Sequence, residues 1–121
     1  MHGLAAFLEG TEFSEIVLAR NATPDERADA FNRAGTVVCA SASDASQERL
    51  IEAAACGCSV VVTRRANRDG IVRDGINGTV VDADGESMLR GLRAAVEDRS
   101  RMRTSMHAWI HGRGWRSRAA A

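Results

Sequence analysis

Asp44 and Glu52 stand eight residues apart in "SDASQERLIEAAACGCSVVVT" (43–63), the first ahead of a predicted helix and the second inside it. A carboxylate accepts hydrogen bonds and carries charge, so two of them around a helix start are suited to gripping hydroxyl groups beside a bound anion. The same pair also fits ordinary helix-terminal electrostatics, because acids near helix starts are common for stability alone. Other chemistry-bearing residues are sparser. His107 and His111 are four apart, which sets two imidazoles on one helix face, yet no acid lies between them and no third ligand is evident. They read as a solvated pair near a helix C-terminus. Cys39, Cys56 and Cys58 form an odd set, poor for disulfides or zinc, and read as buried thiols. The arginine clusters "RRANR" (64–68) and "RGWRSR" (113–118) read as solvated charge, with Arg65 or Arg68 within reach of a phosphate as the sharper alternative.

The elements that must position these residues alternate between strand and helix. "EIVLAR" (15–20) has strand character. Thr23, Pro24 and Glu26 form the start of a helix with a capping box, Ala28, Phe31 and Ala34 recur near helical spacing, and Gly35 closes it. "TVVCA" (36–40) and "SVVVT" (59–63) are continuous apolar runs, the pattern of strands covered on both faces. Between them, residues 41–46 read as a small polar loop and 47–56 as a helix with Leu50, Ile51, Ala54 and Ala55 inward. Residues 64–70 are charged and loop-like, and "DGINGTVVD" (74–82) carries turn glycines and then a strand. Two helices follow, one with Met88, Leu89, Leu92 and Val96 on a face, the other with Met102, Met106, Trp109 and Ile110. This order predicts a Rossmann-like α/β fold of three layers around a mainly parallel sheet. Ligands in such sheets sit beyond the carboxyl ends of the strands. The loop 41–46 leaves such an end and feeds a helix N-terminus, a place suited to phosphate. The two acids would then hold a ribose and a second sugar beside it.

Composition sets limits. The 121 residues are 45% hydrophobic and 26% charged, which suits one ordinary globular domain. Sixteen basic residues, all Arg, balance sixteen acidic ones, so net charge gives no reason to expect nucleic acid or a membrane surface. No integral membrane segment or leading signal peptide is evident, and the expected compartment is cytoplasmic.

Asp44 followed by Glu52 in "RLIEAAACGCSVVVT" resembles the "E-x7-E" signature of family 4 retaining glycosyltransferases of the GT-B fold. Upstream, "IVLARNATPDERADAFNRAGTVVCAS" is similar to that family's strand, capped helix and second strand, with Phe31 where Tyr is usual. Downstream, "IVRDGINGTVVDADGESMLRGLRAAVEDRSRMRTSM" resembles "EVV-x-DG-x-NG-x-LV" and the helices after it, and "GWRSRAA" the final Trp motif. The resemblance spans roughly residues 16 to 119 and belongs to the C-terminal, donor-nucleotide half of such an enzyme.

What the resemblance implies is a domain that binds a nucleotide-diphosphate sugar and serves transfer of a hexose to an acceptor. Glu52 would hold the ribose hydroxyls and Asp44 the donor sugar. The backbone N–H groups of Ser46, Gln47 and Glu48 would face the donor's phosphate or sugar. No metal or other cofactor is implied. There are departures: "EGFG" has become "DASQ", the glycine after the first strand is Arg20, and the "GG-x-P-E" loop reads "ANRDG" (66–70). The family's "GR" loop, its diphosphate-facing Arg and Lys, and its acceptor domain have no counterpart in these residues. The expectation is therefore a truncated donor domain, inactive by itself, completed by an acceptor-domain polypeptide or self-associating through an uncovered sheet edge. The alternative is a non-catalytic nucleotide-sugar-binding or interaction module.

Overall fold

The structure, a computed structural model, describes residues 22–111. The strand expected at 15–20, Arg20, the residues before them and the tail cluster 113–118 lie outside the described residues, as does the side chain of His111.

Helix α1 (Pro24–Ala34) begins and ends as its residues dictate. The Thr23 hydroxyl accepts from the Glu26 amide at 3.2 Å, and the Glu26 carboxylate accepts from the Thr23 amide at 3.4 Å. Gly35 then takes φ 70°, the left-handed conformation that a Cβ disfavours. Strand β1 (Thr36–Cys39), helix α2 (Asp44–Ala55), strands β2 (Ser59–Thr63) and β3 (Thr79–Val81), and helices α3 (Gly85–Glu97) and α4 (Arg99–His111) follow.

The three strands are parallel in the order β1-β2-β3, with Thr36 opposite Ser59 and Val61 opposite Thr79. Alternation along the strands sends neighbouring side chains to opposite faces. Val60 and Val62 join Cys39, Leu50, Ala54, Met106 and Ile110 on the α2/α4 face. Val61 and Val81 meet Met88, Leu92 and Ala95 of α3 on the other. β2 is buried throughout, as a valine run covered on both faces must be. The result is a Rossmann-like α/β domain of three layers.

Three sequence expectations shift. α2 starts at Asp44 rather than 47, because Ser43 caps it by accepting from the Ser46 amide, so residues 44–46 are helical rather than loop. Its buried alanines are Ala53 and Ala54, while Ala55 is exposed. α3 turns Met88, Gly91, Leu92 and Ala95 inward and leaves Val96 exposed, because the absence of a side chain at Gly91 lets the helix lie close on β3.

Candidate functional site

Asp44 and its neighbours at the start of α2 sit where β1 and β2 end. α2 leaves β1 and runs back along the sheet, so its N-terminus lies at the carboxyl end of the strands. Asp44 is its first residue and almost wholly exposed; its Oδ1 accepts from Arg68 Nη2 at 2.6 Å. The same guanidinium donates through Nη1 to the Ala42 carbonyl at 2.9 Å. Arg68 therefore spans from the loop after β2 to the loop after β1. Gln47 makes a second, buried link: its Nε2 donates to the Ala66 carbonyl at 2.7 Å and to the Ser41 carbonyl at 3.3 Å.

Within α2's first turn, the Ser46 amide donates to the Ser43 hydroxyl at 3.1 Å and the Gln47 amide to the Ser43 carbonyl at 3.0 Å. The helix's amides without an intrahelical acceptor are thus those of Asp44 and Ala45, whereas the sequence pointed to Ser46, Gln47 and Glu48. Glu48 is exposed.

Glu52 lies two turns further on, facing α1. Eight residues of helix correspond to about 12 Å of rise and about 80° of rotation, so α2 separates the two acids rather than clustering them. Glu52 Oε1 accepts from Arg27 Nε at 2.6 Å, Oε2 accepts from Arg49 Nη1 at 2.8 Å, and the side chain is 32% exposed. Arg27 in turn donates to the Ala22 carbonyl at 2.7 Å. A carboxylate offers about four acceptor positions, so two remain for hydroxyl groups. Beside these residues, Val38, Cys39, Ser41, Ser46, Arg49 and Leu50 line a cleft of about 300 Å³, the lower limit for holding a small organic ligand.

Arg27, Arg49 and Arg68 are ion-pair partners that reading the sequence did not assign to the acids. Arg49 was findable, three residues before Glu52 on one helix. Arg27 and Arg68 depend on tertiary packing, which no local pattern reveals.

The remaining candidates go elsewhere. Cys39 and Cys58 are buried and Cys56 half-buried, and all three are free thiols. Burial, with the neighbouring Cys56, pushes the Cys58 thiol up to about 11. Arg64 pairs with Asp82 on the surface. His107 is exposed. Among the described residues no group of three or more His, Cys, Asp and Glu is placed to hold a metal, and no helix is long and apolar enough to cross a membrane.

Residues 4–98 match the family model described as glycosyl transferases group 1. Neither the comparison with curated proteins nor that with solved structures finds a match.

Proposed function

The chain belongs to the glycosyl transferases of group 1, and from that membership we propose that it is a donor-binding domain, the C-terminal unit of a retaining family 4 enzyme of the GT-B fold. It holds a nucleotide-diphosphate sugar whose hexose passes to an acceptor presented by an acceptor-domain polypeptide, in the cytoplasm and without a metal. Glu52 carries this reading. Its carboxylate is fixed by Arg27 and Arg49, keeps unused acceptor positions, and stands a third exposed on the helix that leaves β1. A ribose diol is the ligand such a carboxylate suits.

The donor's phosphate belongs at the start of α2, where the Asp44 and Ala45 amides and the positive end of the helix dipole coincide with Arg68. Arg68 supplies guanidinium donors beside that helix start. The Asp44–Arg68 pair is exposed at the Asp44 side, and exposed pairs contribute only about 0–1 kcal/mol, so a ligand separates them at small cost. Asp44 is then available to a sugar hydroxyl.

A second reading, a non-catalytic nucleotide-sugar-binding or interaction module, is favoured by one observation. The loops after β1 and β2 are laced together by Gln47 and Arg68 across the mouth of the site. Such a module would self-associate through the β1 edge of the described sheet.

Calorimetric titration of UDP, GDP and ADP into the wild-type chain and Glu52→Ala tests the donor-binding reading. The substitution should weaken the best-bound nucleotide by about 1.5–3 kcal/mol, the range for hydrogen bonds to a charged group. Equal affinities would remove Glu52 from the site, and no binding of any nucleotide by the wild type would leave only the interaction module.

A further inference from the structure

At the opposite, amino-terminal end of the strands lies a second pocket, about 230 Å³ in volume. It sits where α1 and α2 end, and Arg33, Gly35, Cys56, Gly57, Arg99 and Arg103 are among its lining residues. No acidic residue lines it among the described residues. The Arg99 guanidinium stands over Gly35 and that of Arg103 over Gly57. Arg33 pairs with Asp29 on the exposed side of α1 at 3.2 Å. The Arg99 side chain makes one hydrogen bond among the described residues, from Nη2 to the Thr36 hydroxyl at 3.4 Å, and its Nε is buried without an acceptor. No carboxylate pairs with Arg99 or Arg103 among the described residues.

The bland account is that these arginines complement the two helix C-termini. Its magnitude falls short. Each helix end carries about −0.5 of a unit charge, so two ends offset about one of the two positive charges on Arg99 and Arg103. Among the described residues roughly one positive charge stays without a counter-charge in this concave place, lined by a half-buried Arg99 and an exposed Arg103, and guanidinium donors remain unused. Charge-assisted hydrogen bonds from Arg to an oxyanion are the strong class, and the guanidinium fork matches that geometry. The volume is below the roughly 300–1,000 Å³ of pockets for drug-sized ligands, which excludes a nucleotide sugar.

We propose that this pocket is a binding site for a small oxyanion, inorganic phosphate or the phosphate group of a small phosphomonoester, held by Arg99 and Arg103 at the far end of the sheet from Asp44. The site stands independently of the donor-binding reading, because none of its residues belongs to the cleft beside α2.

Titration of the full chain with inorganic phosphate and, separately, glycerol phosphate at constant ionic strength tests it. The tighter of the two identifies the source of the phosphate group. Arg103→Met should weaken phosphate binding about tenfold or more, whereas Arg90→Met, which removes an exposed charge on α3, should leave it unchanged. A second readout needs no variant. Cys56 lines the pocket half-buried, while the Cys58 thiol stays protonated at neutral pH. Saturating phosphate should slow iodoacetamide labelling of Cys56, followed by peptide mass spectrometry, about tenfold, with Cys39 unaffected. Absence of phosphate binding, equal loss in both variants, or unchanged labelling of Cys56 would overturn the proposal.

Discussion

At the scale of single residues, Asp44 and Glu52 have opposite environments despite their shared chemistry. Glu52 is fixed by two arginines and partly enclosed, whereas Asp44 is almost wholly exposed and held by Arg68 alone. A fixed carboxylate suits a constant ligand feature such as ribose. An exposed, easily released one suits a contact made only when the ligand arrives. Asp44→Ala should therefore weaken a nucleotide sugar more than its bare nucleotide, with a stability change of at most about 1 kcal/mol. Paired titrations of UDP and UDP-hexose beside thermal melts measure both. A mutant that loses stability but discriminates the sugar as before would make Asp44 a helix-start charge and nothing more. The two acids were legible as a motif, since spacing and residue type lie in one short stretch. Their arginines were half legible, because Arg49 shares the helix with Glu52 while Arg27 and Arg68 arrive from separate elements.

At the scale of elements, local signals decided helix ends well where side chain and backbone agree. The Thr23 capping box and Gly35 show this. They failed at α2, where four small polar residues look like loop although Ser43 is a good cap. α3 shows the limit of periodicity: Val96 looks inward by type, but the helix turns its Gly91 side to the sheet instead. Gly91→Ala sets a helix-propensity gain of about 1 kcal/mol against a Cβ that would overlap Val81 Cγ1. Overpacking of about 1–3 kcal/mol should win, lowering the melting temperature. A raised melting temperature would mean that α3 does not lie that close.

The cap of the same helix gives a pH dependence. The Asp84 carboxylate accepts from the Ser87 amide at 2.8 Å and the Ser87 hydroxyl at 2.9 Å, which holds its pKa below the usual carboxylate range. A depressed folded value stabilises above the ordinary pKa of about 3.9 and is lost as pH falls through the folded value. The gap in melting temperature between wild type and Asp84→Ala should thus be widest near neutrality and narrow below about pH 4. A gap independent of pH would show that the ionised carboxylate contributes nothing.

At the scale of the molecule, the parallel sheet separates two charged ends. The carboxyl end of the strands presents the start of α2 with Arg68, while Glu52 lies in the last turn of α2, on the flank toward α1. The amino end presents Arg99 and Arg103 over two helix C-termini. Alternation of strand and helix made the α/β class legible, because buried valine runs leave no other assignment. The second pocket was not legible, since Arg33, Gly57, Arg99 and Arg103 are scattered along the chain and meet only through the packing of α4 on α2.

The most direct measurement is the map of backbone amide shifts in the isotope-labelled chain as the best-binding nucleotide sugar is added. Donor binding at the start of α2 predicts the largest shifts at Ser41 through Glu52 and at Ala66 through Asp69, fading in Glu52→Ala. Shifts confined to Gly35, Gly57 and Arg103, or no saturable shifts at all, would contradict it.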